Sequence, residues 1–127
     1  MTTPTSEQFA DVGRGVKVCF EEIGDPDATP MLLIAGLGQQ LISWPTPLCE
    51  ALAARGFRVI RFDNRDSGRS THMPDPPPNP LAMLAARYPS NTYGLHDMAR
   101  DTVGLLDALK IERAHLVGAS MGGMIAQ

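Results

Sequence analysis

The stretch that most restricts how this chain of 127 residues can fold is Ala114-His115-Leu116-Val117-Gly118-Ala119-Ser120-Met121-Gly122-Gly123. It reads as a short buried strand, a tight turn at Ser120 and the opening of a small-residue helix from Met121 to Ile125. Gly-x-Ser-x-Gly between a strand and a helix is the pattern of a nucleophile elbow. The turn is so sharp that strand and helix nearly touch where they meet. A Cβ at Gly118 or Gly122 would collide there, and glycine avoids it. The serine hydroxyl is lifted off the sheet edge. The N–H of Met121 sits at the head of the helix, where developing negative charge is favoured.

Upstream, apolar strands alternate with helices. Val16 to Glu22 alternates at about period two, as a half-exposed strand does, and Asp11 to Gly15 reads as a turn feeding a hairpin. Met31 to Ala35 is a continuous apolar run between Pro30 and Gly36, the pattern of a strand covered on both faces. Ser43 to Ala54 reads as a helix whose apolar side carries Trp44, Leu48 and Leu52, joined by Phe57. Pro45 and Pro47 suit its first turn, and Gly56 ends it. Trp44 is expected to pack on its own sheet. Phe57 to Asp63 is the next strand. Pro74 to Pro80 is too proline-rich for a helix or a central strand, and Leu81 to Tyr88 reads as a short helix. Leu95 to Leu109 is the clearest helix: Leu95, Met98, Thr102, Leu105, Leu106 and Leu109 recur at three- and four-residue steps, and Val103 fills out that side. Asp97 in its first turn and Lys110 in its last would suit the helix dipole.

Helices between apolar strands imply right-handed crossovers and a mostly parallel sheet with helices on both faces. In such a sheet, sites form beyond the carboxyl ends of the strands. Two strand ends carry chemistry here: Gly36-Leu37-Gly38 and Ser120. If they meet, the N–H groups of Leu37 and Met121 flank one carbonyl oxygen while Ser120 attacks its carbon, which is the geometry acyl transfer needs. The loop from Asp63 to Ser70 is charged and turn-rich. Asp63, Arg65 and Asp66 are read as holding its shape.

The net charge of −3 lacks the concentrated Lys and Arg of a nucleic-acid surface. No apolar run is long enough to span a membrane. The polar start, Met1 to Gln8, lacks a signal-peptide layout. Cys19 and Cys49 have no metal-like spacing and read as reduced, buried thiols, which points to a cytoplasmic location. No metal-ligand cluster appears in the sequence.

Ile34-Ala35-Gly36-Leu37-Gly38, Phe62-Asp63-Asn64-Arg65-Asp66-Ser67-Gly68-Arg69-Ser70 and Val117-Gly118-Ala119-Ser120-Met121-Gly122-Gly123 together resemble the amino-terminal half of an α/β hydrolase. The most similar branch contains the aclacinomycin methylesterase-like carboxylesterases. The resemblance implies a serine hydrolase of small apolar carboxylic esters, with Ser120 as nucleophile, Leu37 and Met121 as backbone oxyanion-hole donors, and no cofactor or metal. Ala35-Gly36 stands where many relatives have His-Gly, and Arg65-Asp66 where many have Arg-Gly. Haloalkane dehalogenases and epoxide hydrolases resemble this pattern less, since aspartate stands there in place of Ser120. Other serine-based activities of the fold remain open: carbon–carbon bond hydrolase, peptidase, thioesterase, acyltransferase or perhydrolase. So does a non-catalytic ligand receptor.

A serine nucleophile needs a base, and in this fold the order along the chain is Ser, then Asp or Glu, then His. His72, His96 and His115 all precede Ser120. The acid and the histidine are therefore expected from a complementary carboxyl-terminal polypeptide, with further strands and a lid. Residues 1–11 are expected as a flexible lead-in, and residues 12–127 as the amino-terminal half of one core domain.

Overall fold

The computed structural model describes residues 4–73, 81 and 93–127. Strand β3 (Thr29–Ile34) lies between two parallel partners, β4 (Phe57–Phe62) and β5 (His115–Gly118). Strands β1 (Gln8–Gly13) and β2 (Val16–Ile23) extend this sheet as an antiparallel ribbon, giving the order β1-β2-β4-β3-β5. The expected parallel sheet is thus the β4-β3-β5 part of a mixed sheet.

Three α-helices are assigned among the described residues: α1 (Thr46–Ala54), α2 (Leu95–Ala108) and α3 (Met121–Ala126). They cover both faces of the sheet. On one face α2 and α3 bring Met98, Leu105, Met121 and Ile125 against Val18, Phe20, Leu32, Ile34, Ile60 and Phe62. On the other, α1 brings Cys49 and Leu52, with Trp44, against Ile23, Leu33 and Val59. Trp44 therefore packs on its own sheet, as expected. The expected helix from Ser43 is split into a 3₁₀ turn (Leu41–Ser43) and α1. The proline at position 45, with ψ of 141°, holds the chain extended between them.

Several expectations are corrected by the packing. Residues 8–11 of the expected lead-in pair with β2 in a strand. The signal was weak because small Ala10 faces inward while the larger Phe9 faces solvent. Leu48 and Val103, expected on apolar helix faces, are exposed. Lys110 lies beyond α2, with φ of +57°. There its N–H donates to the Asp107 carbonyl at 3.0 Å and the Ile111 N–H to the Leu106 carbonyl at 2.8 Å. That is a Schellman closure, so Lys110 ends the helix by its backbone rather than by its charge. Strand β5, expected to be buried, leaves Leu116 42% and Val117 38% exposed, because it is the sheet edge among the described residues. The stretch Pro74–Pro80 and the expected helix Leu81–Tyr88, apart from Leu81, lie outside the described residues.

Candidate active site

Pairing between β3 and β5 sets Ile34 opposite Gly118, so the residues that follow each strand leave the sheet at the same end. The Ala119 N–H donates to the Ile34 carbonyl at 3.2 Å and ties the start of the turn to β3. Ser120 then adopts φ of 54° and ψ of −120°. L-residues rarely occupy that region, and residues held there cluster at functional sites. The turn is closed by the Gly122 N–H on the Ala119 carbonyl at 2.8 Å and the Gly123 N–H on the Ser120 carbonyl at 2.9 Å. Ser120 is exposed and Met121 is buried. A Cβ on Gly118 would run into the Gly122 carbonyl, and one on Gly122 into the Ile34 carbonyl. Both glycines are thus required by the close approach of α3 to the sheet.

The Gly36 turn packs directly on this elbow. A Cβ on Gly36 would lie 3.3 Å from the Ala119 carbonyl oxygen and 3.5 Å from the Ser120 Cβ. The Gly36 carbonyl accepts the Gln39 N–H at 3.2 Å, and Gly38 has φ of 71°. A four-residue turn with a positive φ at its third position needs glycine there. The structure thus brings Gly36-Leu37 and Ser120-Met121, separated by more than eighty residues in the sequence, to one sheet edge. Leu37 is exposed beside the serine.

The loop after β4 is held from within and from outside. The Asp63 carboxylate accepts the Leu41 N–H at 2.6 Å and the Arg69 N–H at 3.0 Å. Gly68 packs against that carboxylate so closely that a side chain would displace it. Asp66 accepts the Met73 N–H at 2.6 Å and the Tyr93 hydroxyl. Burial, then this bond, pushes the Tyr93 phenol well above its ordinary pKa. Arg65 does not bond within the loop. It reaches α2, where its Nε and Nη2 donate to the two Asp101 carboxylate oxygens at 2.6 and 2.8 Å, and it lies 4.7 Å from the centre of the Tyr93 ring. Burial opposes the charge on Arg65, but the bonds to Asp101 and its field outweigh it and leave the guanidinium more basic than usual.

Three polar residues around the site escaped the sequence reading. Asp101 carried a usable signal, since a carboxylate sits among Met98, Thr102 and Leu105 on the buried side of α2. Asn64 donates to the Ala35 carbonyl at 3.1 Å, and Gln39 Oε1 accepts the Gly36 N–H at 3.1 Å. Nothing in the local sequence marks either contact.

The three histidines occupy separate places. His72 Nε2 is bonded to the Gly68 carbonyl at 3.0 Å. His115 pairs opposite Met31, toward the other end of β5 from the elbow, with its ring edge-on to Phe57. His96 opens onto a groove of about 490 Å³ between α2 and the β1–β2 hairpin, lined also by Val12, Arg14, Arg100 and Gly104. No residue of the elbow lines that groove. Both cysteines are free and buried. Burial pushes the Cys19 thiol up to about 11 and raises that of Cys49.

A strand–serine–helix turn thus packs on a glycine turn at the carboxyl edge of a parallel sheet segment. Residues 29–127 match the model of the alpha/beta hydrolase fold family, and the chain belongs to that family. Rhodomycin D methylesterase DauP of Streptomyces sp. (strain C5) is 40% identical over 112 residues, which is 88% of this chain and 33% of that protein. Rhodomycin D methylesterase DnrP of Streptomyces peucetius is 37% identical over the same shares. The crystal structure of a hydrolase from Pseudomonas aeruginosa PA01 superposes with a TM-score of 0.73 at 30% identity, covering 94% of this chain and 38% of that one. The chain spans about a third of the length of the curated relatives it matches.

Proposed function

We propose that the chain supplies the nucleophile and the oxyanion hole of a serine hydrolase that cleaves small apolar carboxylic esters through an acyl-enzyme. The observation that carries this reading is the contact between the Gly36 turn and the Ser120 elbow, whose serine holds φ of 54°. In it Ser120 Oγ attacks the ester carbonyl carbon and gives its proton to the histidine of the complementary part; the ester C–O bond then breaks and that proton leaves with the alcohol, so that the acyl group stays on Ser120. The Leu37 and Met121 N–H groups take the negative charge that develops on the oxygen. Water then releases the acid from Ser120. Exposed Leu37, the residue after the Gly36 that packs on the elbow, offers apolar surface to a substrate. The two methylesterases make methyl esters the first substrates to try. The carbon–carbon bond hydrolase, peptidase, thioesterase, acyltransferase and perhydrolase readings share the elbow and differ in the pocket; a receptor would keep the pocket without turnover.

In this reading the catalytic acid and histidine come from a complementary carboxyl-terminal polypeptide, and the assembled enzyme works in the cytoplasm. Support comes from the share of the relatives that the chain spans and from the places of its histidines. A fluorophosphonate probe on the assembled protein is expected to label Ser120, found by peptide mass mapping. A label elsewhere, or none, rejects the mechanism.

The three histidines on hand supply a second test. His72→Ala, His96→Ala and His115→Ala are each expected to leave the acylation rate with an activated ester within about tenfold of wild type, because a general base must come within about 3 Å of the serine oxygen. His72 is the most informative of the three, since it follows the loop whose Asn64 bonds the Ala35 carbonyl beside Gly36. A thousandfold loss in a folded His72→Ala protein would place the base in this chain.

A further inference from the structure

We propose that Asn64 and Gln39 are positioning residues for the oxyanion hole: they clamp two successive peptide planes, Ala35–Gly36 and Gly36–Leu37, and so aim the Leu37 N–H at the substrate oxygen. The proposal rests on the reading of Ser120 as nucleophile and Leu37 as donor. A donor to a developing oxyanion is effective only if it already points at the right place, since no energy is then spent turning it during the reaction. A backbone N–H can be aimed only by fixing its peptide plane, and each plane is rigid.

Both planes are held here. In the first, the Ala35 carbonyl oxygen accepts the Asn64 side-chain amide at 3.1 Å, and the Gly36 N–H donates to Gln39 Oε1 at 3.1 Å. Rotation of that plane would break both bonds. In the second, the Gly36 carbonyl accepts the Gln39 N–H at 3.2 Å. In a trans peptide the N–H points away from the carbonyl, so fixing the Gly36 oxygen on the Gln39 side sends the Leu37 N–H to the other side. The hinge between the planes is glycine, the residue with the widest backbone freedom. Without the side-chain bonds only the backbone bond from the Gln39 N–H to the Gly36 carbonyl would hold this hinge.

Asn64 is itself enclosed. It is only 2% exposed and follows Asp63, whose carboxylate joins Leu41 at the far side of the turn to Arg69. A buried side-chain amide needs a partner, and the partner given to Asn64 is the carbonyl two residues before the donor. Gln39, by contrast, is exposed and could be replaced without a cavity.

The test uses Asn64→Ala, Asn64→Asp and Gln39→Ala in the assembled protein. Asn64→Asp keeps the volume and loses the donor; Gln39→Ala changes no buried side chain and guards against misfolding. The first readout is amide hydrogen exchange. In the Asn64 variants the Gly36 and Gln39 amides, neither of which Asn64 touches, are expected to exchange about tenfold faster or more, with Leu32 and Ile60 unchanged, as local opening requires. The second is kinetic. All three variants are expected to lower kcat by about ten- to a hundredfold with KM within about threefold, somewhat less than the loss of an oxyanion donor itself. Unchanged turn exchange, or a rise in KM at constant kcat, overturns the clamp. A wild-type Ser120 inert to the fluorophosphonate would overturn the parent reading instead, and the exchange data would still decide whether the clamp exists.

Discussion

Replacing Ser120 by glycine is expected to yield a more stable protein with no useful ester turnover. At φ of 54° and ψ of −120° the serine backbone occupies a region that costs a side-chain-bearing residue about 1–3 kcal/mol. For glycine the same angles are the mirror image of the extended region and carry no such cost. Ser120→Gly should therefore gain about 1 kcal/mol after allowing for the greater entropy of unfolded glycine. Ser120→Ala keeps its Cβ and should gain little. In the proposed mechanism both lose the nucleophile. In a serine protease, loss of the nucleophilic serine costs about a millionfold in kcat and leaves a residue of catalysis from the oxyanion hole. The comparison needs thermal unfolding and turnover of the two variants side by side. A Ser120→Gly protein less stable than Ser120→Ala would show that the elbow is not strained. Substantial turnover by either would remove Ser120 from the chemistry.

The second large effect is expected at Asp101. Its carboxylate receives two bonds from Arg65, and both side chains are almost fully buried. Asp101→Leu would leave the Arg65 guanidinium buried without its partner, at a cost of about 3–5 kcal/mol. Arg14 also approaches Asp101, at 3.3 Å, but its side chain is 45% exposed, so water screens the pair and its loss adds little. Removing both charges in Arg65→Met/Asp101→Leu should recover most of the stability, since apolar pairs of similar size often replace buried ion pairs without loss. Urea unfolding midpoints of the two single variants and the double variant check this. Equal destabilisation in the double variant would mean that the pair contributes by its own attraction rather than by satisfying a buried charge. The single variants should also slow ester turnover, because Arg65 adjoins Asn64 in the loop that Asp101 anchors to α2.

The elements that could be read from the sequence are those whose signal is local. Met31 to Ile34 is apolar without a break because β3 is covered on both faces. Leu95 to Leu109 shows its helix because one side alone meets the sheet. Gly118-Ala119-Ser120-Met121-Gly122 announces its turn because Gly118 stands where a Cβ would strike the Gly122 carbonyl, a constraint set within five residues, whereas the clash at Gly122 is with the Ile34 carbonyl and belongs to the tertiary structure. The sequence misled where a residue faces against its own chemistry. Phe9 faces out while Ala10 faces in, so β1 was hidden, and Val103 was credited to a face it does not share.

Composition, motif order and strand pattern by themselves determined the fold class and singled out Ser120, Leu37 and Met121 as the residues to examine. Only the tertiary structure could decide that the Gly36 turn rests on Ser120, because that contact depends on the register of β3 against β5, and register is a long-range property. The partnership of Arg65 with Asp101 and of Asn64 with the Ala35 carbonyl likewise joins residues some thirty positions apart. A charged or amide side chain looks the same in a sequence whether water or a buried carbonyl satisfies it, and packing alone makes that choice.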